Sequence, residues 1–182
     1  KAMDLAVIFS ERKEYTGTDP LKIRLEEGVH EIVGHTDEHG FHHKRVNVTC
    51  SHISFVGKGN DQTMIRGGFQ VHNQQHVKFE ELTLTNPKGR GLYLMGSETN
   101  VDVLKCAVKE CGNTGMSMHS GATVTATQCE FMENGRHGVW CANTNTKARL
   151  DDCKMHHNGG DGLWADDHAV VDLHGTKTDI HS

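Results

Sequence analysis

Asn100 to Ala122 reads NVDVLKCAVKECGNTGMSMHSGA, and Thr123 to Thr146, directly after it, reads TVTATQCEFMENGRHGVWCANTNT. Laid one over the other, Val101 meets Val124, Val103 meets Ala126, Cys106 meets Cys129, Val108 meets Phe131, Gly115 meets Gly138, Met116 meets Val139 and Met118 meets Cys141. The same frame takes in His76 to Thr99 before this pair and Lys147 to Ala169 after it. An incomplete fifth copy starts at Val170. The four full copies are 24, 23, 24 and 23 residues long, a period that signals a repeat architecture. Each copy carries three apolar-x-apolar triplets. Their internal spacing of two is the strand period, and the three or four of a helix does not recur.

Three such short strands cannot bury their inward faces alone. Stacking successive copies solves this, each strand pairing with its counterpart one copy later at about 4.8 Å. A strand that returns to a parallel neighbour through a full coil is expected to do so with right-handed sense. The predicted fold is therefore all-β, a single right-handed parallel β-helix with three short strands per coil of about 24 residues. Same-column residues become neighbours. One inward column holds Cys106, Cys129, Cys153 and then Thr176, another Val108, Phe131, Met155 and then Thr178. Gly112-Asn113-Thr114-Gly115, Asn134-Gly135 and Asn158-Gly159-Gly160-Asp161-Gly162 fall just before the third strand, where residues tolerant of positive φ suit turns. Asn134 and Asn158 share a column, a two-step ladder whose amides are placed to bond along the axis.

The whole chain, 1–182, reads as one domain. Residues 76–182 are the regular repeats and 21–75 looser first coils, with strands around Ile23-Arg24-Leu25, Gly28 to Ile32, Val46 to Val48 and Ile53 to Phe55. Residues 1–20 form a cap in which Ala2 to Lys13 is expected to be a short amphipathic helix covering the open end of the stack. Gly34 to Lys44 is a polar loop. Nothing after Val170 reads as a capping helix, so the natural protein is expected to continue, or this chain to associate end to end through that coil.

Composition excludes several classes. Twenty-four acidic against 19 basic residues speak against a nonspecific nucleic-acid binder. No run of about 18 apolar residues exists to span a membrane. The six cysteines include three stacked inward in one column, which cannot all pair with one another; free thiols favour a reducing, intracellular compartment.

The chain resembles the pectin-lyase-like right-handed β-helices, in style the repeat domains of carbohydrate-binding proteins and sugar hydrolases. The resemblance rests on the cap, on a first coil of the form Ile23-x-Leu25-x-x-Gly28-Val29-His30, on Ser54-Phe55-Val56-Gly57-Lys58-Gly59 and on the Asn-Gly-x-x-Gly turns. It implies the fold. It does not imply one activity, because this fold serves lyases, hydrolases, epimerases, tailspikes and noncatalytic scaffolds. The calcium-binding aspartate cluster of the lyases has no counterpart across adjacent coils. Of the hydrolase pattern only Asp151-Asp152 and His174-Gly175 are present, and the epimerase signature is absent. Outward Arg149 over Asp172 and Glu130 over Lys154 read as axial charge pairs. No catalytic residue, metal centre or cofactor is assigned. Adjacent histidines such as His42-His43 and His156-His157 are expected to point to opposite sides of an extended strand. Only the loop His35-Thr36-Asp37-Glu38-His39, with His42 or His43, has the makings of a convergent set.

The outward column of the third strand is the candidate surface: Tyr93, Ser117, Trp140 and Trp164, containing both tryptophans of the chain. Arg90, Thr114, His137 and Asp161 flank it on one side and Met95, His119, Ala142 and Asp166 on the other. Aromatic faces beside hydrogen-bonding groups suit the apolar face of a sugar ring. The expected ligand-binding residues are Tyr93, Trp140, Trp164, Arg90, His137 and Asp161. The function expected is a noncatalytic scaffold presenting this face to a polysaccharide or a protein. The alternatives are a lyase-like or hydrolase-like polysaccharide enzyme and a self-assembling structural protein.

Overall fold

The computed structural model describes residues 15–36 and 42–181, so the expected helix over Ala2 to Lys13 lies outside the described residues. From Leu21 the chain winds through about six coils, and three parallel sheets run the length of the stack. Sheet 1 contains Leu21–Arg24, Ile53–Val56, Val77–Glu80, Asn100–Leu104, Thr123–Thr127, Lys147–Asp151 and Val170–His174. Sheet 2 contains Gly28–Glu31, Thr63–Arg66, Thr83–Thr85, Ala107–Lys109, Glu130–Met132, Lys154–His156 and Asp179–Ile180. Sheet 3 contains Arg45–Val48, Gly68–His72, Leu92–Met95, Met116–His119, Val139–Cys141 and Leu163–Ala165. Each strand pairs with its equivalent one coil on, so Val77, Val101, Val124, Ala148 and Val171 lie over one another. Among the described residues no helix is long and apolar enough to cross a membrane.

The looser first coils obey the same register, with Ile23 over Phe55 and Phe55 over Phe79. Their irregularity is an insertion between the sheet 2 and sheet 3 strands of the first coil. The polar loop expected there contains a small antiparallel pairing of His35–Thr36 with His42–His43. Phe55, Phe69 and Phe79 fill the interior at this end with ring centroids 4.8 to 5.2 Å apart, and further along Met116, Met118, Phe131 and Leu150 take over, all fully buried.

Corners explain the residue columns. Between sheets 1 and 2 one residue per coil is left-handed: Glu81, Lys105, Gln128 and Asp152, with φ between 50° and 53°. A left-handed non-glycine residue costs roughly 1–2 kcal/mol. That cost is offset because each corner amide still donates to the coil above, Lys105 N to Thr127 O at 2.9 Å and Gln128 N to Asp151 O at 2.8 Å. The residue after the corner turns inward, which puts Leu82, Cys106, Cys129 and Cys153 in the core. All six cysteines are free thiols, and burial pushes Cys106, Cys111 and Cys141 up to about 12.

The final corner is longer: register sets Ile180, not Thr178, beside Met155, so Thr178 rather than Thr176 follows Cys153. Two extra residues let the apolar Ile180 take the inward column, while Thr178 donates its hydroxyl to the His174 carbonyl. The turn glycines are present for want of space. Gly112, Gly115, Gly135, Gly138, Gly159 and Gly162 are absent from the left-handed region, which Glu110, Glu133 and His157 occupy instead. A Cβ on Gly138 would stand 2.6 Å from the Gly162 carbonyl oxygen, and one on Gly159 2.5 Å from that of Gly135. The axial charge pairs stand in register, and the Asp172 charge favours the Arg149 guanidinium, but the short contacts are made elsewhere. Arg149 binds Asp151 at 2.8 Å on the same face of its own strand, and Glu130 binds His156 Nε2 at 2.8 Å.

The asparagine ladder forms. Asn134 Nδ2 donates to Asn158 Oδ1 at 3.0 Å and to Val108 O at 3.1 Å, and Asn134 Oδ1 accepts the Cys111 amide at 3.1 Å. Both amides are buried, so these bonds satisfy turn groups that water does not reach.

Candidate functional site

Pairing in sheet 3 sets Tyr93 beside Ser117, Ser117 beside Trp140 and Trp140 beside Trp164. The column extends toward the N-terminal end through Gln70 and Asn47. Tyr93 and Trp140 are half-buried and Trp164 is 44 % exposed. Ser117 is fully buried, and the space above its short side chain is taken by His119, whose Nε2 lies 2.9 Å from Ser117 Oγ. The His119 ring stands edge-on to Trp140 at 4.7 Å and to Tyr93 at 5.7 Å. His137 bridges the next gap, 6.3 Å from Trp140 and 5.4 Å from Trp164. The column is thus a continuous strip of rings, Tyr93–His119–Trp140–His137–Trp164.

Polar groups border the strip. Arg90 lies over the Tyr93 ring at 4.7 Å, and Arg136 over Trp140 at 5.7 Å. Asp161 stands with Oδ2 3.3 Å from His137 Nδ1, and its own amide donates to that nitrogen at 3.1 Å. Trp164 Nε1 donates to Asp166 Oδ2 at 3.0 Å, while Trp140 Nε1 is buried without a partner. Burial holds the His119 imidazole below its ordinary value. The Arg90 charge adds to this and Asp166 opposes it.

At the Tyr93 end a pocket of about 240 Å³ is lined by His43, Lys44, Arg45, Phe69, Asn86, Lys88, Gly89, Arg90, Tyr93 and Asn113. Four of these are cationic and none is acidic. Lys44 is paired with Glu31 at 2.5 Å, but Nε of Arg45 and of Arg90 are buried without hydrogen-bond partners. Asn86 is buried in the wall, its Nδ2 donating to Arg90 O at 2.8 Å. Pro87 disfavours a helical conformation for the residue before it, which is why Asn86 escapes the left-handed corner that Glu110 and Glu133 adopt at the same position in later coils.

All six residues expected from sequence, Arg90, Tyr93, His137, Trp140, Asp161 and Trp164, therefore lie on this one strip. Missed were the bridging place of His119, the stacking of Arg136 and the basic pocket. Lys44 and Arg45 reach that pocket from the first coil; the sheet 3 register sets Lys44 in the column of Arg90 two coils away, but the columns read from sequence began only at His76. Elsewhere, Asp151 is held by Arg149, and Asp152 Oδ1 accepts the Lys177 amide at 3.1 Å. His156 and His157 do not diverge as expected. His157 is left-handed with φ 53°, which brings its Nδ1 to 2.7 Å from Nδ1 of His156.

A three-sheet parallel solenoid with an aromatic strip along one outer face defines a β-helix repeat domain. The family model described as right handed beta helix region matches residues 39–178, well over half of the chain, and the chain belongs to that family. No curated protein and no solved structure matches it.

Proposed function

We propose that this domain is a noncatalytic scaffold that binds carbohydrate along the outer face of sheet 3. The observation that carries this reading is the strip of five rings from Tyr93 to Trp164, in which strand pairing sets Tyr93, Trp140 and Trp164 in one column and His119 and His137 fill the gaps. Sugar rings present an apolar face to stack and hydroxyls to bond. Arg136, Asp161 and Asp166 supply polar partners at the strip's margin. The pocket at one end favours an anionic glycan, since Lys44, Arg45, Lys88 and Arg90 line it with no acidic residue beside them and arginine forks suit a carboxylate or sulfate. The noncatalytic part is supported by Asp151 and Asp152, the nearest approach to a hydrolase arrangement, each of which is engaged in holding the backbone or a neighbouring arginine.

The test is a titration with neutral, uronate-containing and sulfated polysaccharides, followed by assay for unsaturated or reducing ends with and without calcium. The expected result is salt-sensitive binding to an acidic glycan, weakened at least tenfold in Trp140→Ala/Trp164→Ala and in Arg45→Gln/Arg90→Gln, with no product released. Equal binding by the tryptophan variant removes the strip from the account, and product formation replaces the scaffold with an enzyme.

A further inference from the structure

We propose that His156, His157 and His181 form a zinc(II) site at the surface of the last two coils. The three residues bring one ligand atom each to within 4.8 Å of one another. Tetrahedral zinc with Zn–N bonds of about 2.0–2.1 Å needs nitrogens about 3.3 Å apart. The close pair, His156 Nδ1 and His157 Nδ1 at 2.7 Å, and the outer limit of 4.8 Å bracket that value, and coordination is reached by turning the His181 ring out of its near-parallel arrangement with His156, 13° between planes at 5.5 Å.

The surroundings are those of a metal centre. Glu130 Oε1 lies 2.8 Å from His156 Nε2, and an ionised carboxylate only accepts, so Nε2 carries the proton and the Nδ1 lone pair faces His157. Asp179 Oδ1 stands 3.4 Å from Nδ1 of His181 and orients that ring in the same way. Carboxylates behind ligating imidazoles fix the tautomer and raise basicity. In the unliganded pair, a proton on His157 Nδ1 bridges to His156 Nδ1. Zinc takes its place while the exposed His157 ring takes up a proton from solvent at Nε2 in exchange for the one lost at Nδ1, so that it binds as a neutral imidazole. His157 and His181 are exposed, which leaves the fourth position to water. Three imidazoles suit zinc, with copper and nickel as competitors. Because His156 belongs to one coil and His181 to the next, the ion ties the two coils together.

The experiment titrates zinc sulfate into the whole chain by calorimetry and follows the histidine ring nitrogens by NMR. The expected result is one ion per chain at micromolar affinity or tighter, with the rings of His156, His157 and His181 shifting first. Affinity falls at least a hundredfold in His156→Ala and tenfold to a hundredfold in Glu130→Gln, and is unaltered in Trp140→Ala/Trp164→Ala. Zinc that shifts other histidine rings while leaving these three in place overturns the proposal. So does equal affinity in a variant with all three replaced by alanine. The ring shifts are read on the unmodified chain and decide the matter even if a variant fails to fold.

Discussion

His119 packs between Tyr93 and Trp140 with its Nε2 against the buried Ser117 hydroxyl, an arrangement that favours a neutral ring. Burial disfavours the imidazolium, the nearby Arg90 charge disfavours it further, and Asp166 recovers only part of the loss. The folded chain therefore takes up this proton at lower pH than the unfolded chain, whose histidines titrate near 6.5. Its contribution to stability is complete above that value and is lost as pH falls through the depressed folded value. Denaturant midpoints are expected to drop on acidification below about pH 6.5, with a shallower slope in His119→Gln. By NMR, Asp166→Asn should lower the ring's titration further and Arg90→Gln should bring it back up. A His119 that titrates at or above 6.5 contradicts the packing described. The column that holds Ser117 was readable from sequence, since register alone fixes it. The filling of its gap by His119 was not, because it depends on a rotamer choice made where a small buried side chain leaves room.

Strands and turns were readable to different depths. The triplets of period two placed most strands, because an inward face must be apolar in every coil and each coil repeats the test. Corners do not repeat the same constraint. Between sheets 1 and 2 and between sheets 2 and 3 the left-handed residues include Glu81, Lys105, Gln128, Glu110 and Glu133, types with no turn signature, so those corners are largely silent in the sequence, whereas Asn73, Ser120, Asn143 and Asn145 mark the corner between sheets 3 and 1. The convergence of His156 and His157 was missed for the same reason. The longer final corner was hidden because Thr176 and Thr178 fit the pattern in polarity; only Ile180, an apolar residue needing an inward place, marks it. Glycines were visible, but their reason was not: stacked turns leave no volume for a Cβ. Gly138→Ala is expected to destabilise by about 1–3 kcal/mol, because its methyl meets the Gly162 carbonyl at 2.6 Å and Asn158 Nδ2 at 2.8 Å and neither yields without breaking the ladder. Gly17→Ala, whose methyl comes no closer than 3.8 Å to His52, is expected to be neutral within about 0.5 kcal/mol. Chemical denaturation of the two variants makes the comparison, and equal midpoints refute the crowding account.

Along the axis each coil pairs only with its two neighbours, in all three sheets. Stability in such an array is close to a sum of coil terms and nearest-neighbour interfaces, so damage is expected to stay near where it is done. The coils differ in how well they are placed to resist it. Phe55, Phe69 and Phe79 fill the second and third with three mutually contacting rings, whereas Val170 and Leu173 in the last sheet 1 strand remain 49 % and 47 % exposed. Phe79→Ala removes one ring from the cluster and leaves a cavity between sheets, a loss of about 3–5 kcal/mol for a buried phenylalanine. Native-state hydrogen exchange reports where that loss falls. Amides of Ile53–Val56, Val77–Glu80 and Leu92–Met95 are expected to lose protection by the full amount. Those of Thr123–Thr127 and Lys147–Asp151, two and three coils away, should change by less than about 1 kcal/mol, because independent sites couple weakly. In the unaltered chain, Val170–His174 should already exchange fastest among the sheet 1 strands. A uniform fall in protection across all coils would mean that the stack unfolds as one cooperative unit, and that the interfaces between coils are far stronger than the coils themselves.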